Sequence, residues 1–198
     1  MVYLDAATRR QQMVAAARTA LTQHGVTGTS LRVVARTAGV PLGTLQYVFP
    51  NKDDLLRAVI EDVVAEISEV LASAATTDQG LDHAIRSGLH SFWSTLVTGR
   101  SELQLVQYEL IAYSLRTAGH EDLARWQYDK YAEAAATWCS VAAELHSEQL
   151  ALPAAQIGRI LVAGVDGLIL QYVSRPDDDR AMADLDLLAD AIIGQLRK

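Results

Sequence analysis

Apolar residues along this chain recur three and four positions apart, the spacing that lays one face of a helix against a core. Met13, Val14, Ala17, Ala20 and Leu21 predict a first helix from about Thr8 to His24, opened by the capping-box pair Thr8 and Gln11 and ended by Gly25. Leu31, Val34 and Ala35 predict a short second helix, capped by Ser30 or Thr29 and closed by Gly39, whose backbone freedom permits a tight turn. Pro41 suits the first turn of a third helix, about two turns long from Pro41 to Tyr47, with Leu45 and Phe49 as its apolar anchors. A fourth opens at Asn51, carries Asp53 and Asp54 in its first turn where the helix dipole favours acids, and runs to about Ala75 on Leu55, Leu56, Val59, Ile60, Val63, Ile67, Val70 and Leu71. Breaks at Thr76–Gly80, Thr98–Arg100, Thr117–His120, Ser147–Leu152 and Arg175–Arg180 divide the remainder into five more. The expectation is an all-α chain of about nine helices.

Helices two and three around a tight turn, with a third helix start behind them, read as a helix-turn-helix and point to DNA. This divides the chain into 1–50 for DNA binding and a larger second domain, 51–198, expected to serve ligand binding and dimerisation on the grounds given below, with helix 51–75 shared as a mechanical link. Leu42, Gly43, Thr44, Gln46 and Tyr47 occupy the exposed face and first turn of the recognition helix, where base edges and phosphates are met. Gln46 can pair with adenine through two hydrogen bonds, the Thr44 methyl can touch thymine, and the small Gly43 lets the backbone approach a groove wall. Ser30, Tyr47 and Lys52 are expected to anchor the DNA backbone, Lys52 at a helix amino terminus that already favours phosphate.

A net charge of −7 looks wrong for such a role until its distribution is read. Residues 1–52 hold Arg9, Arg10, Arg18, Arg32, Arg36 and Lys52 against Asp5 alone, so the basic footprint is confined to the amino-terminal segment. In the second domain, eight of the twelve aromatics fall between residues 92 and 138, enough to line a cavity or to fill a core. Trp93, Gln104, Gln107, Tyr108, Ile111, Trp126 and Tyr131 are the candidate ligand contacts, with Glu109 a further polar one. A carboxylate beside Trp and Tyr suits a cationic or amine ligand. Ile157, Ile160, Leu161, Gly164, Val165, Leu168, Ile169 and Tyr172 make a helix apolar nearly all round. Leu185, Leu188, Ile192, Ile193 and Leu196 form a stripe on its successor, and together these read as a homodimer surface, with Gly164 and Gly167 allowing close approach.

The amino-terminal motif resembles the TetR/AcrR-type one-component transcriptional regulators. The resemblance is carried by Ser30, Val34, Ala35, Ala38, Gly39, Val40, Gly43, Thr44, Leu45, Phe49, Lys52 and Leu55. One departure stands out: that family usually places Tyr directly after the leucine of G-T-L, whereas this chain has Gln46 there and Tyr47 one step later. The resemblance implies a base or phosphate contact for Arg32, a double-stranded pseudo-palindromic operator, a small-molecule effector, and a four-helix dimer interface. The segment VAGVDGLILQYVSRPDDD resembles the carboxy-terminal domain of the choline-responsive repressor branch.

The rival classes have less behind them. The chain has no GxSxG, HExxH or Walker sequence, and His24, His83, His90, His120 and His146 are scattered, so neither a catalytic residue, a metal site nor a cofactor is expected. The single Cys139 suits a reducing compartment. The start MVYLDAATRR has no signal-peptide stretch, and the apolar run Ile160–Val173 is short and contains Asp166, so the expectation is a cytoplasmic protein with no membrane partner. The reading is a ligand-responsive DNA-binding regulator, a repressor released by a small molecule. The alternative is a helical ligand-binding or interaction module without DNA binding, which leaves the basic segment and the helix-turn-helix spacing as coincidence.

Overall fold

The computed structural model describes residues 5–75 and 79–196. Among these residues it has nine α-helices, one π-helical turn and no strand. The helices are α1 (Ala6–Gly28), α2 (Leu31–Thr37), α3 (Leu42–Val48), α4 (Lys52–Ala75), α5 (Gly80–Phe92), α6 (Ser101–Arg116), α7 (Glu121–Leu145), α8 (Ala154–Ser174) and α9 (Asp178–Leu196), with the π turn at Trp93–Val97. The break expected at Thr76–Gly80 lies mostly outside the described residues. The chain divides into two compact units: the described residues through Val63 with Leu105–Trp126, and Val64–Gln104 with the described residues from Gln127 onward.

In the first unit α1 packs on α2 and α2 on α3. Its core is the expected one: Met13, Ala17, Ala20, Leu21, Val34, Leu45, Phe49, Leu55, Leu56, Val59 and Ile60 are buried. Full burial of a Leu-sized side chain stabilises by about 1.5–3 kcal/mol, so four short segments suffice to hold a small domain together. Two helix starts differ from the sequence pattern. The cap of α1 is Asp5 rather than Thr8: the Asp5 carboxylate accepts the Thr8 N–H at 2.8 Å and the Thr8 hydroxyl at 2.9 Å, an arrangement that seats Thr8 inside the first turn. The start of α9 falls at Asp178, shortening the last break, because the Asp177 carboxylate accepts the Arg180 N–H at 3.0 Å and caps the helix there. Ser30, not Thr29, caps α2, accepting the Val33 N–H at 3.3 Å, while the buried Thr29 hydroxyl donates to the Gly25 carbonyl at 2.7 Å. Asn51 caps α4 through the Asp54 N–H at 2.9 Å.

In the second unit α5 and α8 each pack on α9. The π turn closes on the Thr98 N–H donating to the Trp93 carbonyl at 2.9 Å, and it sets the Trp93 indole edge-on to Tyr172, centroids 5.4 Å apart. The apolar spacing does not announce that turn, because the buried Leu89, Trp93, Leu96 and Val97 still recur three and four positions apart. Cys139 is fully buried, and burial pushes its thiol up to about 12, so it is an inert core residue.

Candidate nucleic-acid interface

The short α3 can present a surface only because its other face is fixed. Leu45 and Phe49 are buried, whereas Gln46 and Tyr47 point to solvent, Tyr47 at 90% exposure. A tyrosine so exposed contributes little to folding, and its ring and hydroxyl are available to a partner. Gly43 and Pro41 are also exposed, Leu42 and Thr44 half-buried, so the first turn and one side of α3 form a low, accessible ridge. Arg32 and Ser30 stand exposed at the start of α2.

The amino-terminal cations divide into two groups. Arg10 pairs with Glu61 at 3.3 Å and lies over the Phe49 ring, and Arg18 pairs with Asp62 at 2.7 Å, both fastening α1 to α4. Arg9, Arg32 and Arg36 are exposed and have no partner among the described residues. These three unpaired guanidinium groups give the outside of α1 and α2 a positive surface.

Lys52 is placed differently from the phosphate anchor expected of it. Its ammonium donates to the Val26 carbonyl and lies 5.0 Å from the centre of the Tyr113 ring, and burial lowers its pKa. The Val26 N–H is taken as well, by the Glu109 carboxylate at 2.8 Å. One peptide segment at the end of α1 is thus gripped through its donor by α6 and through its acceptor by α4. Gly25 makes the grip possible: it adopts φ 66° and ψ 174°, breaking the regular course of α1, and a Cβ there would sit 2.8 Å from a Glu109 oxygen. On the far side Tyr113 lies against His120, ring centres 5.4 Å apart, and the His120 ring is hydrogen-bonded to Asp53 at 2.6 Å. Ser114, fully buried, donates to the His120 carbonyl and accepts the Ala124 N–H at 2.9 Å, fixing the turn that carries this histidine. Sequence spacing gives no sign of this network, because its members come from four elements with no shared period.

The residues expected to contact a ligand fall in both units. Gln107, Tyr108, Ile111 and Trp126 belong to the first, where Arg57 lies over the Trp126 ring at 5.1 Å. Trp93, Gln104 and Tyr131 belong to the second. Trp93 is fully buried with no acceptor for its indole N–H, Gln104 donates to the Leu96 carbonyl at 2.6 Å, and the Tyr131 hydroxyl accepts from Gln127 at 3.1 Å. A groove of about 460 Å³ in the second unit is lined by the α4 and α7 side chains Leu71, Lys130, Glu133, Ala134, Trp138 and Val141, and by none of these seven. Beyond it, the Tyr128 hydroxyl donates to Asp166 at 2.7 Å, which gives this acid in an apolar run its partner.

The last two helices cover each other more completely than their sequence suggests. Ile157, Leu161, Val165, Ile169, Tyr172, Leu185, Ile192, Ile193 and Leu196 are buried within the unit, and Gly164 is filled by Leu188, whose methyl would lie 2.6 Å from an added Cβ. What faces outward is a narrower set: Ile160, Leu170 and Leu187, 57%, 52% and 67% exposed, with open space above Gly167. At 21 residues, with an 18-residue stretch of mean hydropathy 1.4, α8 is, among the described residues, the one helix long and apolar enough to cross a membrane; the helix is longer than its apolar run because Ala154–Arg159 extend it.

Residues 13–59 match the family model described as bacterial regulatory proteins, tetR family, a span that contains α2, α3 and the start of α4. Over 188 residues the chain is 27% identical to a nicotine-responsive transcriptional repressor of Paenarthrobacter nicotinovorans, covering 95% of each. It is 29% identical over 196 residues to the transcriptional regulator BetI 2 of Chromohalobacter salexigens, covering 95% of this chain and 88% of that protein. Its fold is that of the Bacillus subtilis regulator FadR, solved in complex with stearoyl-CoA, at a TM-score of 0.69, 16% identity, and coverage of 94% of this chain and 99% of that one.

Proposed function

We propose that this TetR-type regulator, a ligand-responsive DNA-binding protein, is a cytoplasmic homodimeric repressor that holds a pseudo-palindromic operator and releases it when a small organic amine occupies the second unit. The observation that carries the reading is α3: Leu45 and Phe49 root one face in the core while Gln46 and Tyr47 stand clear on the other, beside the unpaired Arg32 and Arg36 of α2. Ser30, Arg32, Leu42, Gly43, Thr44, Gln46 and Tyr47 are then the contacts to DNA, and Lys52 positions the motif rather than gripping phosphate. Gln46 or Tyr47 reads a base edge, and the arginines neutralise phosphates.

In the groove between α4 and α7, Glu133, whose carboxylate meets Lys130 at 2.7 Å, and the aromatic wall of Trp138 suit an amine that takes the place of the lysine ammonium and has an apolar or aromatic body. A relative named for its response to nicotine supports the same class. The outward set Ile160, Leu170 and Leu187, with Gly167 among them, fits a second copy across a twofold axis, so that two α3 helices reach successive major grooves about 34 Å apart. Fluorescence anisotropy on DNA from upstream of the chain's own coding sequence tests the reading. Binding is expected to a twofold site, to weaken steeply with salt, and to be relieved by aromatic amines; equal affinity for scrambled DNA at every salt concentration would sink it.

A further inference from the structure

Glu109, Ala112, Tyr113 and Arg116 stand at i, i+3, i+4 and i+7 on α6, a single face of the helix. This face and the end of α1, His24–Thr27, line a groove of about 480 Å³ inside the first unit. Its two full charges are opposite in sign and about 10 Å apart along the axis, too far to pair with each other through two turns of helix. Nor does either find an ion-pair partner elsewhere among the described residues. The Glu109 carboxylate takes one hydrogen bond, from the Val26 N–H to Oε2, and meets no cation, while the Arg116 guanidinium has no partner among the described residues. That contrasts with the arginines nearby, since Arg10, Arg18 and Arg125 each have an acid. Arg116 also stands apart from the exposed Arg32 and Arg36 of α2, on a different helix and beside a groove.

We propose that this groove is a second small-molecule site, separate from that between α4 and α7, and that it takes a linear zwitterion of the ω-amino acid type. The ligand's ammonium meets the free oxygen Oε1 of Glu109. Its carboxylate meets Arg116, with His24 on the opposite wall and the hydroxyls of Thr27 and Thr117 completing the polar rim. The methylene chain lies over Ala112, whose small side chain opens the middle of the groove. Tyr113 forms the wall, its ring already held by Lys52 and His120. A singly charged molecule satisfies only one end and leaves the other charge facing it across the groove. An α-amino acid carries both charges but on groups bonded to the same carbon, too close together to reach both ends. A guest that spans them ties the end of α1 to α6 beside the Glu109–Val26 hydrogen bond, on the segment that leads through Thr29 into the Ser30 cap of α2.

Isothermal calorimetry on the full chain without DNA tests this. The titrants are glycine, γ-aminobutyrate and ε-aminocaproate, with hexanoate and hexylamine as single-charge controls. The expected result is that ε-aminocaproate binds with a Kd on the order of 1 mM, at least about tenfold tighter than glycine or either control. Arg116→Gln, at an exposed site whose loss leaves the melting temperature unchanged, is expected to abolish binding, and Arg116→Lys to restore part of it. Hexanoate binding as tightly as ε-aminocaproate, an affinity independent of chain length, or an unaltered Arg116→Gln variant would each overturn the proposal. Because no DNA is present, those outcomes leave the operator reading untouched, and failure of operator binding leaves this one untouched.

Discussion

The Glu109 carboxylate reaches from α6 to accept the backbone N–H of Val26, 83 residues away in sequence, at 2.8 Å. With Lys52 on the carbonyl of the same residue, the end of α1 is held through both of its peptide groups just before the chain enters the helix-turn-helix. The position of α2 and α3 therefore rests on charged side chains from α4 and α6 as well as on apolar packing.

Gly25→Ala puts a Cβ against Glu109 at a positive φ, so it strains the backbone and displaces the carboxylate together. The expected loss of stability is about 1–3 kcal/mol in urea denaturation, with weaker operator binding. A variant as stable as the parent and equal in DNA affinity would show that the grip on Val26 has no bearing on α2 and α3.

Lys52→Met removes a donor from a carbonyl shielded from water, and is expected to cost about 1–3 kcal/mol of stability. Since the ammonium is turned inward, the salt dependence of operator binding should keep its slope. Arg32→Ala, by contrast, should lower that slope by about one. A slope lowered by Lys52→Met would return Lys52 to the role of a phosphate anchor.

Gln46→Ala is expected to cost about 1–3 kcal/mol at one base position and to relax preference there, measured by anisotropy on a panel of single-base operator variants. Tyr47, being 90% exposed, can be replaced by Ala with no change in melting temperature. If Tyr47→Ala alone alters sequence preference, the base reader is the tyrosine.

Placing a charge at Leu187 or Ile160 tests the proposed dimer without disturbing the core, because both side chains are mostly exposed. Each change is expected to yield folded monomers in sedimentation and to weaken operator binding by about a hundredfold or more, since a single half-site loses the effective concentration supplied by its partner. The same charge at Ile192, which is buried, should unfold the second unit instead.

Asp166 is held above the usual carboxylate range chiefly by burial, opposed by the hydrogen bond from Tyr128. Folding therefore favours its protonated form: the contribution is full below the ordinary carboxylate pKa near 3.8 and is lost as pH rises through the higher folded value. Asp166→Asn keeps an oxygen for Tyr128 without the charge. The variant is expected to melt higher than the parent at neutral pH, with the gap closing as pH falls to 4 and below in differential scanning fluorimetry. A constant gap across pH would rule out ionisation as its source.

The period of apolar residues determined by itself that the chain is helical, and the turn chemistry of Ser30, Gly39 and Pro41 placed the helix-turn-helix to within about a residue, because both signals are local and repeat every turn. Leu45 and Phe49 as anchors, and Gln46 and Tyr47 as the exposed pair, were equally readable from α3. Periodicity says that a residue faces a core but not which core. Ile192 and Leu188 thus looked like interface residues until α9 was seen packed on α5 and α8, which leaves Leu187 and Ile160 outside. Charge says still less about direction: the six cations of residues 1–52 look alike in sequence, yet Arg10, Arg18 and Lys52 have partners within the unit while Arg9, Arg32 and Arg36 have none among the described residues. A long flexible side chain takes its partner from whatever the fold brings within reach, so the meeting of Glu109, Lys52 and Val26 was decided only when α1, α4 and α6 came together.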